Sequence, residues 1–354
     1  MKLRFLFLFF LCFSLFAQIL PLKGNRYDYL VDFDKKKVFC GVEEFDFDSD
    51  KKCGYFFVWD KSLFLFEKGK VINLNEKKES GEIKNSLLPD ADYLPYSIQD
   101  LVKGNLLFIP IKTGFAVFDL KKGEIKGSLS CVFDKTERDI VLPEVKTGND
   151  RIFLVFNKRV EVFNDFEKEK TLHIDNALFF TVSAGKDFFS ILSVEKPGGL
   201  FSIKTVLKSY DYKFNLLNKK EIDVFPKNIY EINGNFVFEK KEISVFSLFG
   251  SKKIHIVRTD LKNGKIKEYS FSLSHKRRHV FPLYYGKKIF LIAQCKDGKV
   301  YLLDLYRDKK RKTDKKVYYD YDFLKGKKGG VFYEENGNNY FPVKFELSLI
   351  SRIF

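Results

Sequence analysis

Three carboxylates alternate along Asp46-Phe47-Asp48-Ser49-Asp50, the spacing at which loop oxygens converge on a hard cation such as calcium. The rest of that loop departs from a calcium loop. Lys51 stands at the sixth position, where glycine permits the sharp turn, and Phe57 at the twelfth, where a bidentate glutamate completes the shell. The segment therefore reads as a solvated hairpin tip, with Asp46, Asp48 and Asp50 a weak calcium candidate. No residue set asks for a cofactor.

The densest basic run is Lys309, Lys310, Arg311 and Lys312, continued by Lys315 and Lys316, with the aromatic stretch Val317-Tyr-Tyr-Asp-Tyr-Asp-Phe323 beside it. Cations interleaved with aromatics can track a polyanion backbone. In an exported chain the accessible polyanions are anionic lipid head groups or glycans rather than nucleic acid, and each basic residue near a lipid surface adds ~1 kcal/mol. The plainer reading is an exposed loop between outer strands. His275-Lys-Arg-Arg-His279 is a second basic tip, whose two imidazoles could add a pH-sensitive charge. The formal charge of +16 is a weak guide to partners, because Lys, Phe, Asn and Ile are abundant together while Trp and Met occur once each, as A+T-rich coding would give.

Nucleophilic chemistry finds little footing. There is no Gly-x-Ser-x-Gly elbow, no Cys-x-x-Cys pair and no zinc-ligand spacing of Cys with the four His residues. Catalysis is not indicated. Cys40 and Cys53 could face each other across a hairpin turning at residues 46–50 and so form a disulfide in an oxidising compartment. Cys131 and Cys295 lie in apolar runs and read as small buried hydrophobes.

The N-terminus carries Lys2 and Arg4, then an apolar run from Phe5 to Phe16 and a small residue, Ala17, which is the pattern of a secretory signal peptide over residues 1–17. Apolar character resumes at Ile19-Leu20-Pro21-Leu22, so an uncleaved anchor to about residue 22 stays open. Either way the chain is exported, periplasmic or envelope-associated.

The elements around these groups are short strands. Leu106 to Ile111, Phe115 to Leu120 and Ile125 to Leu129 are separated by Lys-Thr-Gly and Lys-Lys-Gly, which makes a three-stranded meander with two tight turns. An acidic residue ending a strand before a Lys-rich turn recurs at Asp119, Asp165, Asp211, Asp260 and Asp304, at spacings of 44 to 49 residues, with Glu67 as an earlier copy. These acids are expected to cap the turns that follow them. Four strands in about 45 residues is the content of one propeller blade. No long run shows helical apolar spacing. With 45% hydrophobic residues and 41 Phe among 354 residues, one large core is easily filled.

Gly114-Phe-Ala-Val-Phe-Asp119-Leu-Lys-Lys-Gly123-Glu-Ile, Ile254-His-Ile-Val-Arg-Thr-Asp260-Leu-Lys-Asn-Gly264-Lys-Ile and Gly298-Lys-Val-Tyr-Leu-Leu-Asp304-Leu resemble the β-propeller superfamily, most nearly its quinoprotein-like and WD-repeat-like members. Val58-Trp59-Asp60 looks like a lone WD dipeptide. A single Trp and the lack of an adjacent Cys pair set the chain apart from the quinoprotein enzymes, so quinone chemistry is not carried over. The resemblance implies an all-β, single propeller over residues 27–347, with seven four-stranded blades expected and six or eight open, closed by pairing strands from the two chain ends. The functional expectation is a non-catalytic scaffold that binds an envelope protein or other macromolecule, in one version by adding a client strand to a sheet edge. The competing expectation is an envelope glycan- or peptide-processing enzyme with its site in the central cavity.

Overall fold

The computed structural model describes residues 19–23, 28–40, 43–89, 91, 95–135, 140–195, 204–222, 226–232, 235–240, 253–261, 264–275, 277–285, 288–295, 297, 299–313, 316–322, 327–336 and 339–342. Residues 1–17, read above as a signal peptide, and Lys315 lie outside them. Tight turns set the order of the strands. Gly114 opens one with φ +136°, where a Cβ would lie 1.9 Å from the Leu129 carbonyl oxygen, so only glycine fits between Leu106–Ile111 and Gly114–Asp119. The meander read from the sequence is thus present, with Glu124–Ser130 as its third strand.

Such meanders repeat. Antiparallel four-stranded sheets occupy residues 19–46, 54–82, 102–130, 144–173, 177–222, 226–272 and 277–313. The fold is a seven-bladed β-propeller. Among the described residues, the one helical segment is the 3-10 turn Gln99–Leu101. A three-stranded sheet of Lys316–Asp322, Lys327–Asn336 and Asn339–Pro342 follows the seventh blade.

The blades fall in two compact units. One comprises residues 1–132 with 315–354, the other residues 133–314. In the first, Gly54–Trp59 is sandwiched between neighbouring sheets. Phe56 and Val58 pack with Leu20, Leu22 and Val31 of the 19–46 sheet, while Tyr55 and Phe57 pack with Leu107, Ile109 and Phe118 of the 102–130 sheet. Burial on both faces explains why the middle strands read as unbroken apolar runs rather than alternating ones. Phe56 and Phe57 are fully buried, each contributing roughly 2–3 kcal/mol of transfer free energy. Strands from early and late in the chain meet in this unit. Ile19–Lys23 lies against Lys316–Asp322 and Lys327–Asn336, as two adjacent sheets with separate ladders rather than one shared blade. The folded chain also takes in Ile19–Lys23, ahead of residue 27.

One connection leaves the pattern. Pro95–Ser97 runs parallel to Gly54–Trp59 with Tyr96 opposite Tyr55, and Ile98 donates its N–H to the Phe56 carbonyl at 3.0 Å. The Gln99 side chain then replaces a peptide group. Its Oε1 accepts from the Val58 N–H at 2.7 Å and its amide nitrogen donates to the Val58 carbonyl at 3.0 Å. Only Val102–Lys103 remains to open the 102–130 sheet.

In the second unit the same face-to-face logic holds. Phe153 and Val162 pack with Phe189 and Ile191, Leu207 and Ile222 with Phe236 and Val257, and Ile256 and Phe271 with Leu291 and Leu303.

Candidate interaction surfaces

Three of the repeated acids cap their turns through the side chain. Asp119 Oδ1 accepts N–H bonds from Lys121 and Lys122 at 2.9 and 3.1 Å, and Asp304 Oδ1 accepts from Tyr306 and Arg307 at 2.8 and 3.1 Å. Asp211 accepts from Lys213 and Asn215. Two caps were not legible as such. Asn73 accepts from Asn75 and Glu76, and Asp32 from Asp34 and Lys35, so the landmark of the second blade is Asn73 rather than Glu67. Glu67 instead ends a strand before the two-residue hairpin Lys68-Gly69, where both φ values are positive, and pairs with Lys51 at 2.9 Å. In the fourth blade the third strand ends at Asn164, and Asp165 and Phe166 form a two-residue turn. The residue after each four-residue cap, such as Leu74, Leu120, Leu261 or Leu305, is buried and pins its turn to the core.

Asp46, Asp48 and Asp50 form no three-carboxylate cluster among the described residues, although Asp48, at 3.6 Å, shares Lys36 with Asp50. Lys77 Nζ lies 2.6 Å from Asp48, Lys36 Nζ 2.9 Å from Asp50 and Lys37 Nζ 3.9 Å from Asp46. The Lys77 hydrogen bond holds the Asp48 carboxyl below the usual range, and the Lys36 hydrogen bond does the same for Asp50. Lysine ammonium groups take the place a cation would hold.

The hairpin expected between Cys40 and Cys53 is drawn differently. Cys40 pairs with Glu43 within the first sheet, while Cys53 precedes the first strand of the next and carries a free thiol. The hairpin that carries Cys40 closes between residues 40 and 43, so Cys53 lies outside it.

Lys309, Lys310, Arg311 and Lys312 are an edge strand, not a loop. Lys309–Thr313 pairs with Val300–Asp304, Arg311 opposite Leu302 and Lys312 opposite Tyr301. A last strand has water beside it and needs no apolar alternation, and lysines on its rim discourage edge-to-edge pairing. All four cations are exposed. Lys310 Nζ lies 5.4 Å from the Tyr301 ring centre and donates to the Ser272 carbonyl of the sixth blade. Lys316 begins the following strand.

A cluster invisible in the sequence joins the ends of two strands. His275 Nδ1 lies 2.7 Å from Asp297 Oδ2, which also meets Lys299 Nζ at 2.9 Å and the Ser274 hydroxyl at 3.5 Å. Burial raises the Asp297 carboxyl, but the Lys299 hydrogen bonds and the His275 charge outweigh it and hold the group below the usual range. The adjacent Cys295 is buried, and burial pushes its thiol up, away from the thiolate a nucleophile requires. Elsewhere, a cavity of about 390 Å³ opens at one end of the second blade, walled by Tyr55, Phe66, Ile83, Leu88, Pro89 and Ala91. Exposed apolar side chains gather on the fifth blade: Leu178 at 53% and Phe179 at 37% on its first strand, and Leu216 at 54% and Leu217 at 58% on its last.

No family model matches the chain, and no curated protein matches it. Solved structures do. BamB from Moraxella catarrhalis aligns over 85% of this chain and 89% of its own, with 10% identity and a TM-score of 0.46. The WD40 domain of SCAP from fission yeast aligns over 69% of this chain and 68% of its own, with 11% identity and a TM-score of 0.41. PorZ, a bacterial surface component of the type-IX secretion system of Porphyromonas gingivalis, aligns over 82% of this chain and 37% of its own, with 13% identity and a TM-score of 0.40.

Proposed function

We propose that this chain is an exported, non-catalytic propeller that serves as a macromolecular binding scaffold in the bacterial cell envelope. The carrying observation is the edge strand Leu216–Ile222, which opens with two adjacent leucines that are both more than half exposed. Leu216 pairs with Tyr210 and Asn218 with Ser209, so Leu217 is the extra residue of a β-bulge and the two leucines sit side by side at an open sheet edge. An extended client segment added to that edge would gain main-chain hydrogen bonds and find an apolar contact at the leucine pair. Export rests on the sequence of residues 1–17. Leu20 and Leu22 are buried in the first blade, which shortens the apolar run free to cross a bilayer below the length of about 20 residues that a spanning helix needs and favours a cleaved signal over an anchor. The enzymatic alternative has weaker support, since the His275–Asp297 pair neighbours a buried thiol.

A photo-reactive residue at position 217, tested in intact cells beside one at the exposed Lys121, decides the matter. A discrete adduct at position 217 alone, abolished by Leu216→Ser, is expected. Absence of an adduct at both positions would remove the scaffold reading.

A further inference from the structure

The seven four-stranded blades each end in a polar last strand, and six of these carry at least one carboxylate. Many of those charges are neutralised across the sheet: Glu44 by Lys37 at 2.7 Å, Glu79 by Lys70 at 2.8 Å, Glu169 by Arg151 at 2.7 Å and Glu221 by Lys204 at 2.7 Å. Lys309–Thr313 breaks the rule, with four cations and no carboxylate. Its cross-strand neighbours at Arg311 and Lys312 are Leu302 and Tyr301, and among the described residues no carboxylate pairs with either cation. Edge protection alone would be served by the mixed charges the other blades use.

From this we infer that the Lys309–Thr313 edge is a docking surface for an anionic lipid bilayer. The cations alternate, with Lys309 and Arg311 on one face and Lys310 and Lys312 on the other; Lys310 is engaged with the Ser272 carbonyl, while Arg311 and Lys312 leave the rim on opposite sides instead of lining a groove. A rim presents charge to a plane, whereas a threaded polymer needs a channel with stacking platforms. Tyr301, the aromatic residue beneath Lys310, is buried and offers no such platform. At the turn leading into the strand, Tyr306 is 55% exposed and its ring lies 5.2 Å from the Arg258 guanidinium. A tyrosine with an apolar body and a polar tip suits the head-group boundary. Arg307 adds a further cation and Asp308 offsets one. Each basic side chain at an anionic surface raises partitioning roughly five-fold, so losing Arg311 and Lys312 together should cost about 30-fold.

The test is co-sedimentation of the full chain with vesicles of phosphatidylcholine alone and of phosphatidylcholine mixed with phosphatidylglycerol. Three proteins are compared: wild type, R311Q/K312Q, and K121Q/K122Q, which loses the same net charge from an exposed turn of another blade. Binding confined to the anionic vesicles, weakened by salt, reduced about 30-fold in R311Q/K312Q and unchanged in K121Q/K122Q is the expected result. The proposal is overturned by no binding to anionic vesicles, by equal losses in both double variants, or by retention on a soluble polyanion such as heparin without vesicle binding. Circular dichroism of each variant separates lost docking from lost folding. The outcome is independent of crosslinking at position 217, which probes a different blade.

Discussion

The Tyr212 hydroxyl donates a 2.5 Å hydrogen bond to the carbonyl oxygen of Gly185. Above the ring, the Arg151 guanidinium sits 5.0 Å from its centre while binding Glu169, so one phenol ties three strands of two blades together. Burial pushes the Tyr212 pKa up to about 12 from 10.0. A phenol whose pKa is raised on folding contributes its full stability below the unfolded value and loses it as pH rises through the folded one. Wild-type stability should therefore decline between pH 10 and about 12. Tyr212→Phe should cost about 1 kcal/mol at neutral pH yet flatten that decline, as read by urea melts across the window.

Turn capping should scale with burial. Asp304 is 2% exposed whereas Asp119 is half-buried, and each accepts two backbone N–H bonds. Asp304→Ala should cost ~2 kcal/mol and Asp119→Ala ~1 kcal/mol, because the orphaned donors of the first have less access to water. Asp304→Asn keeps the acceptor and should restore most of the loss, which denaturant midpoints would report.

These caps also show how far the sequence could be read. The Asp-apolar-Lys pattern is conspicuous at Asp119, Asp211 and Asp260, and Asp304-Leu-Tyr-Arg is a variant of it, because in each case a turn follows a strand that is largely apolar. Asn73 escapes it because an amide performs the carboxylate's task and because Glu67-Lys68-Gly69 mimics the signature at a tighter hairpin. Lys309–Thr313 hides as a strand since a sheet's last strand needs no apolar face. His275 and Asp297 pair across a hairpin at a separation that no local spacing rule reports.

Asp211 should govern part of the acid limb. Hydrogen bonds from the Asn215 side chain and backbone hold its carboxyl below the usual range. A depressed carboxylate contributes stability that is present above its unfolded pKa and is lost as pH falls through the folded one. The stability gap between wild type and Asp211→Ala should therefore narrow as pH falls below 3.8, in thermal melts at fixed ionic strength.

Gly114 and Gly104 separate conformational strain from collision. Both have positive φ, +136° and +61°, but a Cβ at Gly104 meets nothing within 4 Å whereas at Gly114 it strikes the Leu129 carbonyl. Gly104→Ala should cost about 1 kcal/mol, and Gly114→Ala about 3 kcal/mol or more, measured by chemical unfolding.

Residues 95–99 lend backbone and one amide to the sheet of residues 54–82 before the chain enters the sheet of residues 102–130. Those two repeats are therefore not interchangeable modules. Excising the later copy together with its leading segment would strip the earlier one of its border, and grafting in a repeat from elsewhere in the chain would omit the Gln99 splint. Gene-level shuffling of this array has its least tolerant junction there.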